Sequence, residues 1–340
     1  MKTSSLFSMG ILLLCLMLTS CIKEPPVLVP SIDTQEFASG LKAPIGMDMD
    51  HKKWLWVAEA GTGNDDSQLS VFLPNGNKFV AIQNFPSEFR AAEGISVGLN
   101  HVLIQGNTIW MLHDKGFLFK ADINGFAPGR ATIDWSHLQK EDIATFVVDY
   151  DFEDDTNMSN PYNMAFGPNG HLYITDAGAN AIIKRDPSGH LSVFATLPRT
   201  QNPLPVGPPF VEAVPTGIVF DGQKFLVTGL LGFPFPEGRA KIFAIDLNGV
   251  VSEYKDGLSS LTDIEKVSAD KYVITEFARF ALGAGWTSNT GRLLQINQGQ
   301  ETTLLDLIDT PTSVVSAGSG VYFVNSFKQG KVTMVVTKGY

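Results

Sequence analysis

Apolar residues between positions 31 and 340 fall in short runs that alternate at a period near two, punctuated by Gly, Pro, Asn and Asp. The clearest unit runs from Asn160 to Phe194 and contains four such runs. Gly167-Pro168-Asn169-Gly170 joins the first pair, and Asp186-Pro187-Ser188-Gly189 the last pair. Gly and Asn tolerate positive φ and Pro presets φ, as tight hairpin turns require. The pattern predicts a blade of four antiparallel strands.

Five other segments open like this unit: Ala43-Pro44-Ile45-Gly46-Met47, Glu93-Gly94-Ile95, Val214-Pro215-Thr216-Gly217-Ile218, Leu261-Thr262-Asp263-Ile264 and Thr310-Pro311-Thr312-Ser313-Val314. They recur roughly every 46 to 54 residues, with one interval of about 67. The expectation is an all-β domain over residues 31–340, a six-bladed β-propeller of four-stranded antiparallel blades. The sixth copy ends one strand short. Residues 34–42 resemble the outer-strand segment 191–197, so an N-terminal strand is expected to join the last blade and close the ring. Closure removes the exposed strand edges that invite aggregation.

Residues 1–20 read as a lipoprotein signal peptide rather than a fold. Lys2 supplies the positive start, and Ile11 to Leu18 form an apolar stretch too short for a spanning helix. Leu18-Thr19-Ser20-Cys21 has the pattern of a bacterial lipobox, which predicts acylation of Cys21 with palmitate-type chains. The alternative is an ordinary signal peptide with a cysteine there by chance. Residues 21–30 then form a lipidated, Pro-rich tether. Ile22, where Asp would direct inner-membrane retention, points to the outer membrane.

Composition narrows the chemistry. The chain is 44% hydrophobic and 18% charged, as globular proteins are. A net charge of −10 repels phosphate backbones, so nucleic acid is not an expected partner. The two cysteines, Cys15 and Cys21, both precede the repeats, which excludes a disulfide scaffold and a thiolate site within them. His-Glu-x-x-His, Gly-x-Ser-x-Gly and phosphate-loop motifs are absent.

Within each repeat the first and third turns are short, while the middle loops and the links between blades are long. Those long segments should emerge on one face, where function is usually built. The segment Asp134–Asn160 is placed there too. Phe233 and Phe235, in Gly232-Phe233-Pro234-Phe235-Pro236, are candidate ligand contacts, as are Arg279 and Trp286 in the next long loop and His113 at a strand end. The competing reading is that the rings plug the propeller mouth and that His113 is structural. Glu93, Asn163 and Asp263 are expected near the starts of innermost strands, with Thr216 and Thr312. Their oxygens suit a hard cation such as Ca²⁺, as in metal-dependent lactonases of six-bladed fold; ordered water in the tunnel is the alternative. Glu59, Asp176 and Glu276 end second strands and either add ligands or bind loop amides. The acidic run Asp149–Asp155 lacks the Gly and terminal Glu of an EF-hand loop and reads as a solvated insert.

Several segments together resemble the ScyD/ScyE family of NHL-like propellers: Ala58-Glu59-Ala60-Gly61-Thr62-Gly63, Asp142-Ile143-Ala144 with Asn160-Pro161-Tyr162, Tyr173 to Gly178, Val214 to Gly217, and Gly232 to Pro236. Thr228-Gly229-Leu230 departs from the family's usual Gly-Glu-Leu at that point, which removes a carboxylate. The resemblance implies the propeller fold and no established reaction. Two functional readings stand: an envelope lipoprotein binding a small molecule or protein on its long-loop face, or a Ca²⁺-dependent hydrolase at the tunnel mouth.

Overall fold

A computed structural model describes residues 31–154 and 156–339. The signal peptide, Cys21 and the tether lie outside the described residues, as does the last position of the acidic run.

Strands that are buried on both faces need apolar residues at nearly every position. Leu55–Glu59 (Leu-Trp-Val-Ala-Glu) and Leu172–Asp176 (Leu-Tyr-Ile-Thr-Asp) are of this kind and are buried throughout. Each belongs to a four-stranded antiparallel blade whose two faces pack against neighbouring blades. Six blades form the ring. Their innermost strands are Pro44–Met49, Leu99–Gln105, Pro161–Phe166, Pro215–Phe220, Leu261–Ser268 and Val314–Gly318. The core is accordingly divided into layers, one at each seam between blades. Trp56, Leu69, Leu99 and Phe119 fill the seam between blades one and two, and Tyr173, Ile182, Phe225 and Val227 that between three and four. Ser31–Ala38 pairs antiparallel with Lys331–Lys338, so the N-terminal strand completes blade six as expected.

Blade two departs from the expected boundaries. Its innermost strand begins at Leu99, not at Glu93. Glu93 instead sits in the turn of a small hairpin, Glu88–Arg90 paired with Ile95–Val97, inside the link from blade one. The third-to-fourth connection of blade two is long, not short. Within it Ile133–Asp134 runs parallel to the outer strand of blade one, Ile133 beside Ile82. Asp134 therefore lies on the rim rather than on the long-loop face. The extra length seen as one wide repeat interval is shared between this excursion and the link over residues 143–160, which contains the short helix Ala144–Asp149.

Neighbouring innermost strands splay apart around the tunnel and cannot pair through their backbones. Side chains do the joining instead, and there is a bond at every seam. The Leu99 amide donates to Ser67 Oγ (3.0 Å), Asn100 Nδ2 to the Pro161 carbonyl (2.8 Å), and Thr175 Oγ1 to the Thr216 carbonyl (2.6 Å). Thr216 Oγ1 donates to the Leu261 carbonyl (2.9 Å), Thr262 Oγ1 to that of Pro311 (2.9 Å), and Thr312 Oγ1 to that of Ile45 (2.8 Å). The last seam, where the ring closes, carries a second clasp. Asn325, fully buried, donates to the carbonyls of Pro44 and Ile45 (2.9 Å each) and accepts from the amides of Thr312 and Ser313.

Removing one partner of a buried bond leaves the other desolvated and unpaired, at about 1–3 kcal/mol. Asn325→Ala strands the Thr312 and Ser313 amides, while the Pro44 and Ile45 carbonyls keep Thr312 Oγ1, so it should destabilise by about 2 kcal/mol or more, whereas Asn248→Ala in an exposed turn should be near neutral. Equilibrium denaturant unfolding reads both; equal midpoints would show that the closing clasp contributes nothing.

Candidate functional site

The polar layer just inside the tunnel consists of Gly46, His101, Asn163, Gly217, Asp263 and Ser313, one from each blade. Two glycines are needed there. A Cβ on Gly46 would collide with the His101 backbone, and one on Gly217 would lie 2.6–2.8 Å from the backbone of Asp263 and Ile264. The space is taken by Asp263, which gathers donors from three blades. Its Oδ1 accepts from Asn163 Nδ2 and the Ile264 amide (2.9 Å each); its Oδ2 accepts from Ser313 Oγ (2.9 Å) and the Val314 amide (3.0 Å). Above it the His101 and Tyr162 rings pack against each other at 4.6 Å, tilted by 56°. This septum separates two cavities.

The upper cavity, on the long-loop face, has a volume of about 780 Å³, within the range of small-molecule sites. One wall is aromatic. Phe233 and Phe235 come from the middle loop of blade four. Phe277, Phe280 and Trp286 come from that of blade five, where Phe280 and Trp286 are cross-strand partners in a small hairpin. Phe235 lies 4.6 Å from Trp286 and 4.9 Å from Phe280, and Phe280 lies 5.1 Å from Trp286. These are the tilted, edge-biased contacts that aromatic quadrupoles favour. Phe233 stands at the edge of the cluster, 52% exposed. The opposite wall is polar: Arg90, which pairs with Asp114 at 3.1 Å, together with Glu93, Asn100 and Asn160. Lys328 stands at the rim.

Three of the five expected ligand contacts, Phe233, Phe235 and Trp286, thus share one cavity. Arg279 does not line it; the exposed guanidinium pairs outside with Glu237 (3.1 Å). His113 is corrected from a mouth residue to a buried one. Its Nδ1 accepts from the Lys115 amide and its Nε2 lies 3.0 Å from the Pro86 carbonyl, so both nitrogens are engaged. The three oxygens proposed for Ca²⁺ are not brought together. Glu93 is exposed on the upper cavity's rim, while Asn163 and Asp263 line the lower cavity and bond to each other. Both oxygens of Asp263 are already saturated by donors, and the displacement of Glu93 follows from the blade-two boundary. Glu59, Asp176 and Glu276 bind loop amides of Lys42, Asn160 and Ser259, respectively.

The lower cavity, about 320 Å³, opens among the far ends of the innermost strands. Three of its residues were not singled out in the sequence: Asp48, His101 and Glu265. Burial pushes the Asp48 carboxyl up to about 7, against the pull of the Ile104 and Met49 amides. Burial pushes Glu265 up to about 8, helped by the charges of Asp48 and Asp263. Burial likewise raises Asp263 to about 6, opposed by its four donors. His101 is driven down to about 3 by burial, with the carbonyls of Tyr162 and Thr312 opposing only weakly, so the ring is neutral at neutral pH.

No protein-family model matches the chain, and no curated sequence matches it significantly. Solved structures do. A streptogramin B lyase superposes with a TM-score of 0.53 at 14% identity, over 90% of this chain and 98% of the lyase. The PQQ-bound aldose sugar dehydrogenase of Streptomyces coelicolor gives 0.58 at 14%, over 93% and 100%. A gluconolactonase of Xanthomonas campestris gives 0.55 at 10%, over 90% of each. The fold is that of the six-bladed β-propellers. Identities this low speak to the fold alone, because unrelated activities share a scaffold.

A carboxyl whose folded pKa lies above its unfolded value stabilises the fold while protonated, and that contribution is lost as pH rises through the folded pKa. Between pH 7 and 9 His101 is neutral in both states, so the acids govern. Stability should fall from pH 7 to about 8, where Asp48 and Glu265 still hold protons that the unfolded chain has lost, and level off toward pH 9. Glu265→Gln should flatten the fall and raise the melting temperature at pH 9 by about 2–4 °C. A pH profile of melting temperature identical in both proteins would contradict this.

Proposed function

We propose that this protein is a lipid-anchored envelope propeller that binds an amphipathic small molecule in its long-loop cavity. The observation that carries the reading is the five-ring wall of Phe233, Phe235, Phe277, Phe280 and Trp286 facing a polar wall of Arg90, Glu93 and Asp114. A ligand with an apolar ring system and a polar group matches both walls at once. The rings already pack on one another, so little side-chain freedom is lost on binding. The resemblance to ScyD/ScyE propellers supports the same reading, since it implies this scaffold without an established reaction. The anchor is Cys21, reached from the ring-closing strand through the Pro-rich segment; a tether leaving from the rim of blade six keeps the long-loop face clear of the membrane. A hydrolase, lyase or dehydrogenase, as the neighbours' names suggest, would need reacting groups in this cavity. Arg90 and Asp114, paired with each other, are the charged groups best placed within it.

Anilinonaphthalene sulfonate is a suitable amphipathic probe. It should quench Trp286 on binding to the folded chain, and Phe233→Ala should weaken binding about tenfold, or 1.4 kcal/mol, without lowering the melting temperature. Unchanged affinity would remove the aromatic wall from the site. Cys21→Ala should release the protein from the membrane fraction and abolish palmitate labelling; retention with label would place the anchor elsewhere.

A further inference from the structure

We propose that the lower cavity is a second binding site, for a small organic cation bearing ammonium or guanidinium groups. This site is independent of the aromatic one, which opens on the other side of the septum.

The cavity is lined by Asp48, Asp263 and Glu265, and no Lys or Arg contributes to its wall. Asp48 and Glu265 are half-buried and face the open space. Each Asp48 oxygen accepts a single amide, Met49 at 2.7 Å and Ile104 at 2.6 Å, which leaves a lone pair on each. The second observation is His101. Its ring is 2% exposed, lines the same cavity, and makes no well-formed hydrogen bond on either nitrogen, the nearby Tyr162 and Thr312 carbonyls being too poorly placed to pair with it. The nearest carboxylate oxygen, Asp263 Oδ2, is 4.0 Å from Nε2, beyond hydrogen-bonding range. A neutral imidazole left unpaired in a protein interior costs free energy unless something bonds to it. One ring nitrogen is an acceptor, and a ligand N–H would satisfy it.

The ligand chemistry follows from spacing. Among the described residues, no three His, Cys, Asp or Glu side chains lie close enough to hold one metal ion, and Asp263 has no lone pair to spare. The acids are spread around a space of about 320 Å³ rather than focused on a point. A cation with several N–H donors and a short alkyl chain fits that arrangement, its nitrogens on Asp48 and Glu265 and its methylenes on Leu103, Ala165 and Val219. The elevated carboxyl pKa values agree, since burial without a counter-ion disfavours the ionised form and a bound cation would restore it.

The test is calorimetric titration of the purified full chain at pH 8 with 1,4-diaminobutane and agmatine, with sodium chloride at matched ionic strength as reference and Ca²⁺ as a separate arm. The expected result is saturable binding of an amine with a matching rise in melting temperature. Glu265→Gln and Asp48→Asn should each lower amine affinity at least tenfold while leaving anilinonaphthalene sulfonate binding unchanged. Absence of amine binding, amine affinity in either variant equal to that of the wild type, or binding of Ca²⁺ in place of the amines would each overturn the proposal.

Discussion

The structure depends on how neighbouring blades are joined where their backbones cannot pair. Innermost strands diverge around a tunnel, so their edge groups would be buried without partners. Threonine, asparagine and serine side chains supply the missing bonds at every seam, from Ser67 and Leu99 round to Thr312, Asn325 and Ile45. Hydrophobic layers between blades provide the bulk of the burial, yet apolar contact is not directional. The polar belt sets the register at which each blade meets the next, and hence where every loop emerges.

The belt also shapes the tunnel. Asp263 draws Asn163, Ser313 and Val314 toward one point, and the tilted His101–Tyr162 ring pair covers it. What could have been an open channel becomes two cavities of opposite character. The upper one is walled by rings on the middle loops of blades four and five. The lower one is acidic and ends among strand termini. A rigid septum lets the two faces differ in chemistry without disturbing each other.

Much of this was legible in the sequence. Gly-Pro-Asn-Gly and Asp-Pro-Ser-Gly mark hairpins by backbone necessity, so blade count and strand order could be read from them. The closing strand was legible because an incomplete sixth copy requires a partner. Blade two was misplaced because Glu93-Gly94-Ile95 resembles a blade opening, although it turns a small hairpin; the true opening, Leu99-Asn100-His101, has neither the Pro nor the Thr that marks Pro215-Thr216, Leu261-Thr262 and Pro311-Thr312. The error carried Glu93 into a metal set to which it does not belong. Phe233, Phe235 and Trp286 were recognisable as apolar residues in polar, Gly- and Pro-rich loops. Asp48 and Glu265 were missed, but a signal existed. They sit two residues beyond Gly46 and Asp263 on the same strands, and period two places them on the tunnel side. His113 and Arg279 depended on tertiary packing and on a loop-to-loop ion pair, neither of which leaves a local pattern.

Native-state hydrogen exchange tests the central claim that the polar belt holds the ring together. If it does, the amides of Gly217, Ile264, Ser313 and Val314 exchange only through global unfolding, while the outer strands and the middle loop of blade four open locally and faster. Belt amides that exchange as readily as those of the outermost strands would contradict it.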